Sequence, residues 1–372
     1  MADEEAILNS KLESPLVDAP AAAQPKWASA SITLTIIALN ALVYLIMVVA
    51  GVSWISPNAY SVLPWGADYG PLTLGGQWWR MFASLFLHFG IIHLAFNMWV
   101  LANIGPFMES LSGRVSYGVL YIVAGLGGGV ASLVWHPTTV SAGASGAIFG
   151  LYGALLAFLL LHRKVIAPES LATLRKGALV FVGYNLLFGL ARPEVDMAAH
   201  VGGLCTGFLL GLFLVRPPAQ QPYSANGRNA AVIVFGAALV LLTVLFVPKP
   251  DDILAEFKRL TATEEQALSQ FNASSQKWKA NQLSNQQFAD ILEQQILPGW
   301  RAEREAVANL KHLPPKQATL TIALVKYMDK REEGWRLLVD GVRSGDGAKI
   351  GQAAAIGKQA DQLAGRIGAD GK

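Results

Sequence analysis

Four polar residues set in apolar runs could together do acyl-transfer chemistry. In Gly143-Ala144-Ser145-Gly146, a serine stands where a Gly/Ser/Thr-rich loop passes into an apolar helix. Unpaired N–H groups and the positive dipole end of a helix N-terminus favour an oxyanion developing beside such a serine. The flanking glycines permit a tight backbone and leave room for a carbonyl group. An ordinary N-capping serine looks the same, and the run is not the full G-x-S-x-G elbow, because position 147 is Ala. His200, in Asp196-Met-Ala-Ala-His200-Val-Gly-Gly203, lies one turn into another apolar helix. The glycines after it, Gly203 among them, let that helix close on a neighbour. It could accept a serine proton, or be a buried histidine bonded to a carbonyl. His93 and Asn97, at i and i+4, share a helix face and can both donate hydrogen bonds, as oxyanion stabilisers or as a clamp between helices. His88 falls on a different face and is assigned to the membrane interface. Nucleophile, base and oxyanion donors all sit toward the outer ends of their helices. Asp196 is read as a helix cap, which leaves a serine–histidine dyad.

The elements that position these residues follow from the distribution of charge. Of 372 residues, 53% are hydrophobic and 15% charged, against about a quarter charged in soluble domains. Residues 27–248 hold 9 Lys+Arg and 5 Asp+Glu, whereas residues 249–372 hold 18 and 16. This asymmetry excludes a uniform soluble domain, a disordered chain and a collagen-like chain. It implies a membrane-embedded block joined to a water-soluble tail. A net charge of +3, dispersed along the chain, does not suggest nucleic-acid binding. One cysteine, Cys205, excludes a disulfide framework and a cysteine-rich metal site.

Residues 1–26 read as a disordered tail. Seven spans are expected, at about 31–51, 82–104, 115–135, 145–162, 177–191, 197–215 and 229–248. The fifth is the shortest and is interrupted by Gly183, Asn185 and Gly189, which motivates lateral substrate entry past it. With the N-terminus inside, inner loops carry seven Lys+Arg and outer loops two, in accord with the positive-inside rule. Residues 249–372 then fall outside the cytoplasm, as a small all-helical domain. Gly125-x3-Gly129, Gly146-x3-Gly150 and Gly203-x3-Gly207-x3-Gly211 are small-xxx-small patterns of close helix packing. The aromatic, Pro-containing connection from Val52 to Arg80 suits a segment lying at the interface.

At this point five ordered motifs carry a resemblance. Trp79-Arg80, His93-x3-Asn97, Gly105-x3-Glu109, Gly143-Ala-Ser145-Gly and Ala199-His200-x2-Gly203-x3-Gly207 resemble the rhomboid family of intramembrane serine proteases over residues 31–215. The resemblance implies a six-helix catalytic core in which Ser145 attacks and His200 is the general base. His93, Asn97 and the Ser145 N–H would stabilise the oxyanion. Trp79 and Arg80 would belong to a partly embedded structural loop, and Glu109 would be a structural hydrogen-bonding acid. Where many members have a tyrosine stacking on the histidine, this chain has Phe149, which keeps the ring and lacks the hydroxyl.

The expected architecture is an all-α polytopic bundle. Its parts are a cytoplasmic tail over 1–26, a rhomboid-like six-helix core over 27–215, an inner loop and seventh span over 216–248, and an extracytoplasmic helical domain over 249–372. The expected partners are single-span membrane-protein substrates and the bilayer, with no nucleic acid, cofactor or metal, and no identified partner for the C-terminal domain. Other readings are a non-catalytic rhomboid-like client-binding protein, and a transporter or channel. Against the latter stand the lack of paired broken helices and the scarcity of intramembrane charge. There is neither an H-E-x-x-H motif nor a pair of intramembrane aspartates. The absence of a transit peptide favours a bacterial inner membrane.

Overall fold

The computed structural model describes residues 30–164, 166–192, 195–216, 226–311, 313 and 315–370. The tail expected over 1–26 lies outside them. The chain divides into two compact units between Lys249 and Pro250.

Among the described residues, the first unit is a polytopic bundle of seven apolar helices: α1 Ser31–Val49, α2 Ile91–Ser112, α3 Arg114–Trp135, α4 Ser145–Leu161, α5 Pro168–Leu190, α6 Met197–Leu214 and α7 Asn226–Phe246. Six are long and apolar enough to cross a membrane, and α4, at 17 residues, is shorter. This is an integral membrane protein. Apolar side chains exposed on the bundle, such as Leu42, Leu45, Trp99, Leu187 and Phe213, face hydrocarbon in that setting. Helices α3, α4 and α6 pack closely together at the centre, with α7 against α3 and α1 against α2.

Two span boundaries differ from the sequence expectation. The apolar run beginning at residue 82 is not the start of the second span. Residues Arg80–Ala83 and Ser84–Phe86 form a short helix and a 3-10 turn that belong to the preceding connection. Gly90, at φ +96°, breaks the chain before α2 begins at Ile91. The fifth span is not the shortest. It begins at Pro168, pre-set for a first helical turn, and runs 23 residues. It is nevertheless the least embedded of the spans, burying Ala178, Val182 and Gly189.

The connection 52–80 folds into short helices, Ala59–Trp65 and Gly70–Thr73, and is tied to the loop before α4 by an antiparallel bridge between Asp68 and Ser141. Arg80, buried, holds this connection together: its guanidinium donates to the carbonyls of Leu63 and Ala67 and to Gln77. Trp79 is half-exposed, with its ring against that guanidinium. Glu109, on α2, is buried and accepts from the N–H groups of Ile32 and Thr33 and from Thr33 Oγ1. It thereby supplies the N-terminal cap that α1 lacks locally.

The second unit is helical: α8 Ile253–Lys279, α9 Asn285–Asp290, a π-helical turn Ile291–Ile296, α10 Leu297–Ala308, α11 Pro315–Ser344 and α12 Gly347–Asp370. Its core gathers Phe288, Leu292, Trp300, Tyr327, Met328 and Trp335. Ser284 caps α9 in a reciprocal box with Gln287.

Candidate active site

The N-termini of α2, α4 and α6 lie at one end of the bundle, because alternate helices in an up-and-down chain point the same way. Ser145 is the first residue of α4, and His200 lies in the first turn of α6. The distance between Ser145 Oγ and His200 Nε2 is 2.9 Å. Glycines on both helices set it. A Cβ on Gly203 would fall 2.0 Å from the Gly146 carbonyl oxygen, and one on Gly207 2.0 Å from that of Gly150. Any side chain there would force the two backbones apart.

The ring of Phe149, one turn after Ser145, stacks on His200 with centroids 4.3 Å apart and planes inclined by 13°. The ring also lies against that of Phe181 on α5. Among the described residues, the Asp196 carboxylate makes no hydrogen bond to the His200 ring. Its Oδ1 accepts from the Ala199 N–H and its Oδ2 from Ser141 Oγ, so it caps α6. Among the described residues, His200 Nδ1 has no hydrogen-bond partner. The arrangement is a pair rather than a triad.

His93 stands opposite. Its ring lies over Gly143, where a Cβ would come within 2.8 Å of Cε1 and 3.1 Å of Nε2. Gly143 also sits at φ +137°, so both space and conformation demand glycine. The Phe89 N–H donates to His93 Nδ1 at 3.3 Å. That bond leaves the proton on Nε2, the nitrogen facing Gly143. Asn97 is buried one turn below, and its Nδ2 donates to the His93 carbonyl at 2.8 Å. Asn97 therefore shares the face of His93 without bonding to Ser145.

His88, expected near the membrane interface and on a different face from His93, packs beside His93 instead. His88 is fully buried, edge-on to His93 at 5.1 Å. Counting helical faces fails there because residues 87–90 are not helical. Two further residues at the site escaped the sequence reading. Ser141 was hidden in a Ser/Thr-rich loop, and Asp68 could have been flagged as a lone acid in an apolar connection.

A bundle of membrane helices with a serine–histidine pair recessed at one end has the constellation of a serine hydrolase carried on a polytopic membrane scaffold. Comparison with known proteins is specific. The family described as Rhomboid domain matches residues 75–217. The rhomboid protease GluP of Bacillus subtilis (strain 168) is 38% identical over 212 residues, covering 56% of this chain and 39% of that protein. RHOMBOID-like protein 6, mitochondrial, of Arabidopsis thaliana is 33% identical over 214 residues, covering 52% of this chain and 69% of that protein. RHOMBOID-like protein 2 of the same plant is 38% identical over 179 residues, covering 45% and 55%. The chain belongs to the rhomboid family. It spans about two fifths of the length of GluP.

Proposed function

We propose that this protein is an intramembrane serine endopeptidase that cleaves transmembrane-helix substrates near the outer membrane face. The observation that carries the reading is the 2.9 Å separation of Ser145 Oγ and His200 Nε2 beside a helix N-terminus. Neutral His200 takes the serine proton as Oγ attacks the peptide carbonyl, then gives it to the leaving amine. The acyl-enzyme ester is hydrolysed by the same steps in reverse, with water as the nucleophile. The oxyanion would meet the Ser145 N–H, the His93 Nε2–H and the second N–H of Asn97. Each donor contributes about 3–4 kcal/mol to lowering the barrier.

Depth follows from α4. Its 17 residues extend about 25 Å, less than the ~30 Å of hydrocarbon. Arg163 and Lys164 follow its C-terminal end and hold it at the headgroups. Ser145 at the opposite end is then submerged by several ångströms. Loop charges support a cytoplasmic N-terminus and an extracytoplasmic segment after α7. The sparse packing of α5, the least buried of the spans, supports lateral substrate entry.

The test is cleavage of a panel of single-span substrates in proteoliposomes. Wild type cleaves, and Ser145→Ala and His200→Ala each lose on the order of 10³-fold or more in kcat. Equal cleavage by wild type and Ser145→Ala would remove the serine-protease reading, whereas binding of the substrates with no cleavage by wild type would leave client binding as the function.

A further inference from the structure

We propose that Ser141 and Asp196 are positioning residues, whose mutual hydrogen bond locks the loop carrying Ser145 onto the helix carrying His200. This rests on the serine-protease reading. Ser141 lies four residues before Ser145, and Asp196 lies four residues before His200. Ser141 Oγ donates to Asp196 Oδ2. With the Ser145–His200 contact, this bond closes a small ring of two short chain segments joined at both ends.

The ring has a rigid side and a dependent side. The rigid side is α6: Asp196 Oδ1 accepts from the Ala199 N–H at 2.9 Å, and the glycine contacts with α4 fix the helix. The dependent side is the stretch 137–143. Among the described residues its hydrogen bonds run to Gly70, Asp68, Ser84 and Asp196, apart from a turn bond from the Thr139 N–H to the adjoining His136 carbonyl. The first three belong to the interfacial connection, through Pro137 O, the two-way Ser141–Asp68 backbone pair and the Gly143 N–H. The bond to Asp196 alone refers this loop to the helix that bears the base. Without it, the loop that delivers the Ser145 N–H and the Gly143 turn follows the interfacial connection instead. Displacing reacting groups by about 1 Å costs up to 10²-fold in rate.

The chemistry of the two side chains separates this role from a triad role. A hydroxyl both donates and accepts. In Asp196→Asn the amide oxygen can still cap Ala199, while the amide N–H donates to Ser141 Oγ, so the tie survives without the charge. In Asp196→Ser a short hydroxyl still caps α6 but has no second oxygen for Ser141. A triad acid gives a deep loss in both variants, Asp196→Asn included, since both remove the charge.

The experiment compares these variants in proteoliposomes with a single-span substrate, reading kcat and KM, the rate of Ser145 labelling by a fluorophosphonate, and thermal unfolding. Ser141→Ala and Asp196→Ser each lower kcat and labelling by about 10- to 100-fold with KM unchanged. The double variant falls no further than the worse single one, Ser141→Thr restores the rate, and Asp196→Asn stays within a few-fold of wild type. If Ser141→Ala does not fold, the Asp196→Ser and Asp196→Asn pair decides. Wild-type rates in Ser141→Ala or in Asp196→Ser would overturn the proposal. So would an Asp196→Asn loss as deep as that of His200→Ala. The protease reading fails separately, if Ser145→Ala is labelled or cleaves like wild type.

Discussion

His200 is held by contacts on two sides. Its Nε2 meets Ser145 Oγ, and its flat face meets the Phe149 ring at 4.3 Å. With no partner on Nδ1 among the described residues, stacking carries the orientation that a carboxylate supplies in a triad. The loss of the tyrosine hydroxyl common in the family is then of little consequence, and loss of the ring is not. Phe149→Tyr should cleave at close to the wild-type rate. Phe149→Ala should lose roughly 2- to 10-fold in kcat, the worth of one aromatic contact. Equal effects of the two substitutions would show that the ring is not what orients His200. Ser145, His200, His93 and Asn97 stand out in the sequence because a polar group in an apolar run needs a reason. Ser141 does not, because a serine in a polar loop needs none. Its importance comes from a partner 55 residues away.

Between helices, the decisive contact is the glycine edge of α6 against α4. A Cβ 2.0 Å from the Gly146 oxygen must retreat by more than 1 Å to reach the ~3.3 Å of an ordinary C–H···O contact. Gly203 is three residues from His200, so that retreat carries the His200 ring away from Ser145. Gly203→Ala should lower the melting temperature and reduce kcat on the order of 100-fold. Gly183→Ala on α5, with open space around its Cα, should leave stability unchanged or raise it slightly. If Gly203→Ala melts and cleaves like Gly183→Ala, the close packing does not set the site. These patterns are readable in sequence because small residues at four-residue spacing have a geometric meaning. The ends of the second and fifth spans are not. Hydrophobicity alone cannot separate Phe82–Leu87 from a span, since an interfacial turn is also apolar. Nor can it show that a helix continues through Arg175 and Lys176, because helix formation tolerates charge that hydrocarbon excludes.

Over the whole chain, the scarcity of charge between residues 27 and 248 gives the acids there unusual weight. Glu109 caps α1, Asp196 caps α6, and Asp68 lies buried in the interfacial connection with Oδ1 accepting from Thr73 Oγ1. Burial above all, together with the nearby Asp196 carboxylate, pushes the Asp68 carboxyl up to about 7, against the opposing pull of Thr73 and Arg80. The unfolded chain releases this proton near the ordinary value of about 3.9. The native state therefore binds more protons between roughly pH 4 and pH 7. The stability this group contributes is complete below that window and is lost as pH rises through 7. In mild detergent, the unfolding temperature of wild type should fall from pH 5 to pH 8. Asp68→Asn, neutral at every pH and nearly the same shape, should remove that part of the slope while carrying a constant penalty for its amide N–H groups. Parallel curves for the two proteins would mean that Asp68 is already ionised in the fold. A shallower mutant curve would locate a pH-sensitive tie in the connection that holds the loop before Ser145, so activity should weaken over the same window.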